Sequence, residues 1–193
     1  MERLKNLSDL FSEDQRFAEM MQFAADDEDL GYSLKRHYER FATLDWPRGA
    51  PEEIVSGFVT AQHLAIYAWY VFPFASVAEL QALITLEHAL RRRMSNEPAR
   101  GLKDRLRYAV SAGWIKGSRL RMPDPHIRPI AREDFARRPM DPRGDESLAS
   151  FIDNIPESRY WLAHGNWIGG IDPFMQLDIV LQLINQIYPY DPA

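Results

Sequence analysis

The residues best suited to chemistry lie in one stretch, Ser158-Arg159-Tyr160-Trp161-Leu162-Ala163-His164-Gly165. An arginine precedes a histidine by five positions, and a glycine follows the histidine directly. Arginine keeps its charge at any ordinary pH and offers phosphate oxygens a planar fork of donors. The unperturbed pKa of histidine, about 6.5, lets it give and take protons near neutrality. A fixed cation beside a titratable imidazole is a pairing suited to phosphate chemistry. Tyr160 and Asn166 are supporting polar candidates on either side.

Spacing sets a condition on this pair. At about 100° per residue, positions five apart on an unbroken helix point about 140° apart. A helix that ends at His164, with Gly165 in the left-handed position just beyond, relaxes that constraint. A structural role competes with the chemical one. Arg159 can pair with Glu157, Asp153 or an acid of another helix, and His164 can hydrogen-bond the last carbonyls of its own helix.

The elements that must position the stretch read as helices almost throughout. Ser12-Glu13-Asp14 predicts an N-cap and an acidic first turn for a helix to about Ala24. The acidic run Asp26-Asp27-Glu28-Asp29 before Gly31 reads as a solvated turn, without the ligand spacing of a calcium loop. A second helix is predicted over about Tyr32 to Leu44, and Trp46-Pro47-Arg48-Gly49-Ala50-Pro51 then breaks the chain. Residues 1–50 form an N-terminal helical extension in this reading, and residues 51–193 the main bundle. Pro51-Glu52-Glu53 opens a helix that runs to about Phe72, where Pro73 breaks or kinks it. Its Ile66, Tyr67, Trp69, Tyr70 and Phe72 predict a central, buried position.

The next predicted helix runs from about Ser76 to Met94. Leu80, Leu83, Ile84, Leu86, Leu90 and Met94 mark its apolar side, and Arg91-Arg92-Arg93 close it where cations suit the helix dipole. A shorter helix covers about Leu102 to Ala112 and stops at Gly113. Residues 114–146, with Pro123, Pro125, Pro129, Pro139 and Pro142 among many basic side chains, read as a long basic loop. Helix resumes over Ser147 to His164, where Pro156 can kink or divide it. A last helix spans Met175 to Tyr188, with Leu177, Ile179, Val180, Leu181, Leu183, Ile184 and Ile187 mostly inward. The fold class is therefore all-α, an antiparallel helical bundle.

The pattern from Arg159 to His164-Gly165, placed after two long helices and before a final amphipathic one, resembles the signature of HEPN-type helical domains. The run Ala78-Glu79-Leu80-Gln81-Ala82-Leu83-Ile84-Thr85-Leu86-Glu87-His88-Ala89-Leu90-Arg91 is similar to the central helix of those domains. The resemblance covers roughly residues 54–188. It implies a metal-independent RNA endonuclease, in which the RNA 2′-hydroxyl attacks the adjacent phosphate. Arg159 would then clamp the scissile phosphate and His164 transfer protons, with Arg91, Arg92 and Arg93 steering the RNA backbone. It further implies a homodimer that brings two motifs to one cleft, no cofactor, no metal, and a setting in toxin–antitoxin or antiviral defence with a cognate antitoxin or regulatory protein. The family also holds members without catalysis, so the resemblance equally allows a protein- or nucleotide-binding regulatory module. One departure from the family pattern is Tyr160, which follows the arginine where a smaller polar residue, often asparagine, is usual.

The remaining histidines read as structural. His63 and His88 lie on predicted bundle helices as buried or boundary residues, and adjacent Glu87 and His88 point apart on a helix. His126 falls in the basic loop, within reach of a substrate. The aromatic cluster Tyr67, Trp69, Tyr70 and Phe72 reads as core.

Bulk properties exclude other classes. The 193 residues contain no cysteine, which removes disulfides and thiol nucleophiles and fits a reducing, cytoplasmic setting. The N-terminus lacks the apolar core of a signal peptide, and the longest apolar run, about Leu64 to Ala75, is too short to cross a bilayer. Net charge is −5, unevenly spread. Residues 91–143 carry 15 Lys/Arg against 6 Asp/Glu, whereas residues 144–193 carry 1 against 7. That one is Arg159. A basic middle in an acidic chain either binds a polyanion or pairs with its own acidic flanks.

Overall fold

A computed structural model of the protein describes residues 5–16, 33–95, 101–121, 144–163 and 173–191. Among these the fold is all-α. Six α-helices are described, α1 (Leu34–Ala42), α2 (Glu52–Tyr67), α3 (Phe74–Met94), α4 (Leu102–Ser111), α5 (Gly144–Ala163) and α6 (Pro173–Ile187), with 3-10 turns at Leu7–Asp9 and Gly117–Arg119. Helices α2 and α3 form the central antiparallel pair, α6 packs along α3 and α2, and α5 crosses α3 and α4.

Small residues set the spacing of the central pair. Ala61 and Ala65 on α2 and Ala78, Ala82 and Ala89 on α3 are fully buried. A Cβ on Gly57 would come within 2.8 Å of Thr85 Oγ1, so a larger residue there would press on the Thr85 side chain where α2 meets α3. Phe58, Leu83, Leu86, Leu90, Leu177 and Ile184 fill the core around that seam. Every residue expected inward on the last helix is buried, from Leu177 to Ile187. Helix α1 joins the same core through Phe41, and the turn after it through Leu44. Ser33 caps α1 by accepting the Arg36 N–H at 3.4 Å.

The structure corrects several expectations. Helical backbone begins at Gln15, and Asp14 rather than Ser12 stands before it. The Asp14 carboxylate accepts the Arg16 backbone N–H at 3.2 Å. Helix α2 ends at Tyr67 instead of continuing to Phe72. The N-terminal segment takes over the backbone groups that a longer helix would use: Asp14 N–H donates to the Trp69 carbonyl (2.8 Å), and Phe72 N–H donates to Asp14 Oδ2 (3.1 Å). The aromatic cluster therefore splits. Trp69 is buried with Ala68 and Ala75, Tyr70 and Phe72 flank them, and Tyr67 is exposed.

Ile84, expected inward on α3, is exposed, while Thr85 and Glu79 are buried. His63 and His88 are both exposed, and among the described residues the buried histidine is His37. Its Nε2 lies 2.9 Å from the Ala65 carbonyl oxygen, and its ring packs against Phe41 and Trp69. Pro156 lies within α5 without dividing it, and the helix starts at Gly144, inside the stretch expected as loop. Gly144 earns that early start by its contact with Gly117, because a Cβ on either glycine would collide with the backbone of the other. Ser118 N–H donates to Asp145 Oδ1 at 3.2 Å beside them. The acidic run at residues 26–29, His126 and most of the basic loop lie outside the described residues.

Asp14 is buried, and it bonds Arg16 through Nη2 (2.8 Å) and Nε (3.0 Å). Burial pushes its carboxyl up, but the bonds from Arg16 and the Phe72 N–H outweigh this and hold it below the ordinary 3.8. A depressed folded value stabilises the protein above pH 3.8, and that contribution is lost as pH falls through the folded value. Asp14→Asn is expected to cost about 1.5–3 kcal/mol near neutrality, the range for hydrogen bonds to a charged group. Thermal midpoints measured down an acid series should fall further below pH 3.8 in the parent than in the variant. Parallel curves would contradict this assignment.

Candidate functional site

Arg159 sits near the C-terminal end of α5, and its side chain keeps 35% of its exposure. Its Nη1 donates to Glu87 Oε2 at 2.8 Å. Glu87 lies on α3, with a side chain only 14% exposed. The other carboxylate oxygen of Glu87 takes Arg91 Nη2 at 3.3 Å, one helical turn along α3. One largely buried carboxylate thus holds two guanidiniums from two helices, and the trio carries a net positive charge. Such a group holds the Arg159 guanidinium in place, and of its five N–H donors Glu87 takes one from Nη1.

The crossing of α5 over α3 and α4 makes this meeting possible. Leu148, Ile152 and Ile155 bury one face of α5 in the core. Asp153, on its exposed side, is held by Lys103 Nζ (2.9 Å) and Arg107 Nη2 (2.8 Å) of α4. Lys103 foremost, with Arg107, keeps the Asp153 carboxyl below its ordinary range. Asp153 is therefore engaged elsewhere, and the structural partner of Arg159 is the acid of another helix.

The other sequence candidates divide. Arg91 joins Arg159 through Glu87. Arg92 turns to Glu53 at the start of α2, with Nη1 to Oε1 at 2.6 Å. Arg93 lies over the Trp114 and Tyr188 rings, at 5.5 and 5.9 Å from their centres. The triple arginine is thus three separate contacts, although Arg91 and Arg92 remain more than half exposed. Tyr160 is 57% exposed on α5. His164, the residue after the last of α5, and Asn166 lie outside the described residues.

Glu87 is the residue that sequence reasoning passed over. One local signal marks it, an acid four positions before Arg91 on an otherwise apolar helix, the spacing of a helical ion pair. Nothing local reveals its link to Arg159, which lies 72 positions away. Among the described residues, no three His, Asp or Glu side chains converge as a metal site would, and no helix is long and apolar enough to cross a membrane. No family model, no curated protein and no solved structure matches this chain.

Proposed function

We propose that the chain is a HEPN-like, metal-independent RNA endonuclease acting as a homodimer. The observation that carries this reading is the Arg159–Glu87–Arg91 trio. It holds the motif arginine about one-third exposed, five positions before His164 in sequence, with a surplus positive charge. The proposed mechanism has two parts. Arg159 binds the non-bridging oxygens of the scissile phosphate and stabilises the charge that develops as the 2′-hydroxyl attacks. His164 moves the proton between the 2′-hydroxyl and the departing 5′-oxygen, alone or with its counterpart in the second copy.

Glu87 serves as the positioning residue, since its carboxylate fixes the plane of the Arg159 guanidinium. Support for the homodimer comes from α3, where Phe74, Val77 and Ile84 leave apolar side chains exposed. Their spacing puts them within about 80° of one another around the helix axis, a stripe that a second copy can cover. A toxin or antiviral role, with a cognate antitoxin or regulator, belongs to the same proposal.

The second reading is a catalytically silent regulatory module that binds a protein or a nucleotide. It too has an observation in its favour, because an arginine ion-paired to a buried acid is also what a purely structural arginine does. The product ends separate the two. Incubation of RNA with the purified protein in EDTA is expected to give fragments ending in 2′,3′-cyclic phosphate. Intact RNA from a folded, dimeric protein would favour the binding module.

A further inference from the structure

Residues 5–16 form an arm that lies against the turn between α2 and α3. Asp14 fastens it there through the Trp69 carbonyl and the Phe72 N–H, and Arg16 lies over the Phe72 ring at 5.2 Å. The Phe11 ring meets the Tyr70 ring edge-on at 6.1 Å. Lys5 Nζ donates to the Ser12 carbonyl at 2.7 Å, which folds the tip of the arm back on itself.

The arm is held largely by polar contacts and leaves its apolar side chains open. Leu7 is 88% exposed and Phe11 77%. The open surface continues onto α3, whose first residue, Phe74, donates its N–H to the Val71 carbonyl of the same turn at 2.9 Å. Phe74, Val77 and Ile84 are each between 36% and 46% exposed, as is Leu10 of the arm. Together these six residues expose roughly 600 Å², at about 200 Å² for a large side chain. That is the upper end of the largest apolar patch on an ordinary monomer, about 300–600 Å². It is also most of the ~800 Å² that each partner contributes to a stable interface.

Composition and shape point to a second copy of the chain. From Phe74 to Leu86, α3 holds one charged residue, Glu79, and it is buried. A face without exposed charge is what the centre of an interface between copies requires. The chain also carries both halves of a fit, a projecting arm and a flatter helix face. A two-fold contact uses both at once, arm on face and face on arm. Charge sets the direction. Parallel α3 helices would bring the exposed Arg91 and Arg92 of two copies side by side, and antiparallel ones keep them at opposite ends.

We propose that a second copy binds this surface with its α3 antiparallel to the first, the arm of each copy lying on Ile84 of the other. The homodimer itself rests on the ribonuclease reading above, and the apolar surface does not. Ile84 lies three residues before Glu87, about 4.5 Å along α3. Each arm therefore borders the Glu87–Arg159 pair of the other copy. The two Arg159 sites stand on opposite sides of the two-fold axis, each beside the other copy's arm rather than its motif.

Sedimentation velocity across a concentration series tests the pairing. The parent is expected to dimerise, with a Kd that rises about 30-fold in Leu7→Ser/Phe11→Ser and in Ile84→Glu, the effect of losing a central interface side chain. All three positions are exposed in the single chain, so far-UV circular dichroism should not change. The chain has no cysteine, so introduced thiols report the direction. A mixture of Phe11→Cys and Ile84→Cys copies should form a disulfide-linked dimer on mild oxidation, and neither copy should do so alone. A monomeric parent, a dimer that both surface variants leave intact, no link in the mixture, or a link formed by Phe11→Cys alone would overturn the proposal. RNA cleavage, assayed in parallel, keeps the two readings apart. A dimer sensitive to these variants but without cleavage leaves the interface without the nuclease, and Arg159-dependent cleavage by a monomer leaves the nuclease without the interface.

Discussion

Arg159→Ala is expected to reduce the rate of RNA cleavage by about two to three orders of magnitude, the usual loss when one donor to a developing oxyanion is removed. The effect should fall on kcat more than on KM, because in the proposed mechanism the charge that Arg159 binds grows as the 2′-hydroxyl attacks. Arg159→Lys should recover only a small part of the rate, since a lysine keeps the charge but not the planar fork. Glu87 offers an internal check. Glu87→Gln keeps a hydrogen-bond acceptor beside Arg159 and Arg91 but removes the charge that draws both to one point. It should lower the rate by less than Arg159→Ala, and in the double variant the two losses should fall short of additive, as expected for residues in one network. Single-turnover kinetics on a labelled RNA, with far-UV circular dichroism as the fold control, measure all four variants. Equal rates for parent and Arg159→Ala would leave the Glu87 pair with a structural role only.

The largest loss of stability is expected at Phe174. Its side chain is fully buried at the start of α6. The ring packs edge-on to Phe41 of α1 at 5.6 Å, and the Arg40 guanidinium lies over it at 4.6 Å. Phe174→Ala removes the contact through which α1 reaches α6, and leaves a cavity that rigid helix backbones fill poorly. A cost of about 3–5 kcal/mol is expected, a large share of the total stability of a domain this size. Urea unfolding should show a lower midpoint with little change in slope. Val110→Ala, at a 39% exposed position on α4, should stay within about 0.5 kcal/mol of the parent. Comparable midpoints for the two variants would mean that the α1–α6 contact carries little of the stability.

The contrast between α6 and α3 shows what was legible in the sequence. On α6 large apolar residues recur on nearly every side, and all those expected inward are buried. Periodicity sufficed there because size and burial coincide. On α3 they diverge. Its closest neighbour is α2, and the seam between them is made of Ala61, Ala65, Ala78 and Ala82, with Gly57 against Thr85. A reading that weights large side chains follows Leu80 and Ile84 instead, and so rotates the helix. The end of α2 escaped for a different reason, since Asp14, more than fifty residues upstream, intercepts the Trp69 and Phe72 backbone groups.

The candidate site follows the same logic. Arg159 stood out because it precedes His164-Gly165 by five positions, a spacing visible within one short stretch. Glu87 did not, because the crossing of α5 over α3 joins them only in three dimensions. His37 was missed because an imidazole reads as polar until a carbonyl such as that of Ala65 is placed beside it.

The most direct test of the central claim is cleavage of RNA by the purified protein in EDTA, beside Arg159→Ala and His164→Ala. The account expects cleavage by the parent and its loss in both variants. Cleavage that survives both substitutions, or no cleavage by a folded parent across several single-stranded RNAs, would contradict it.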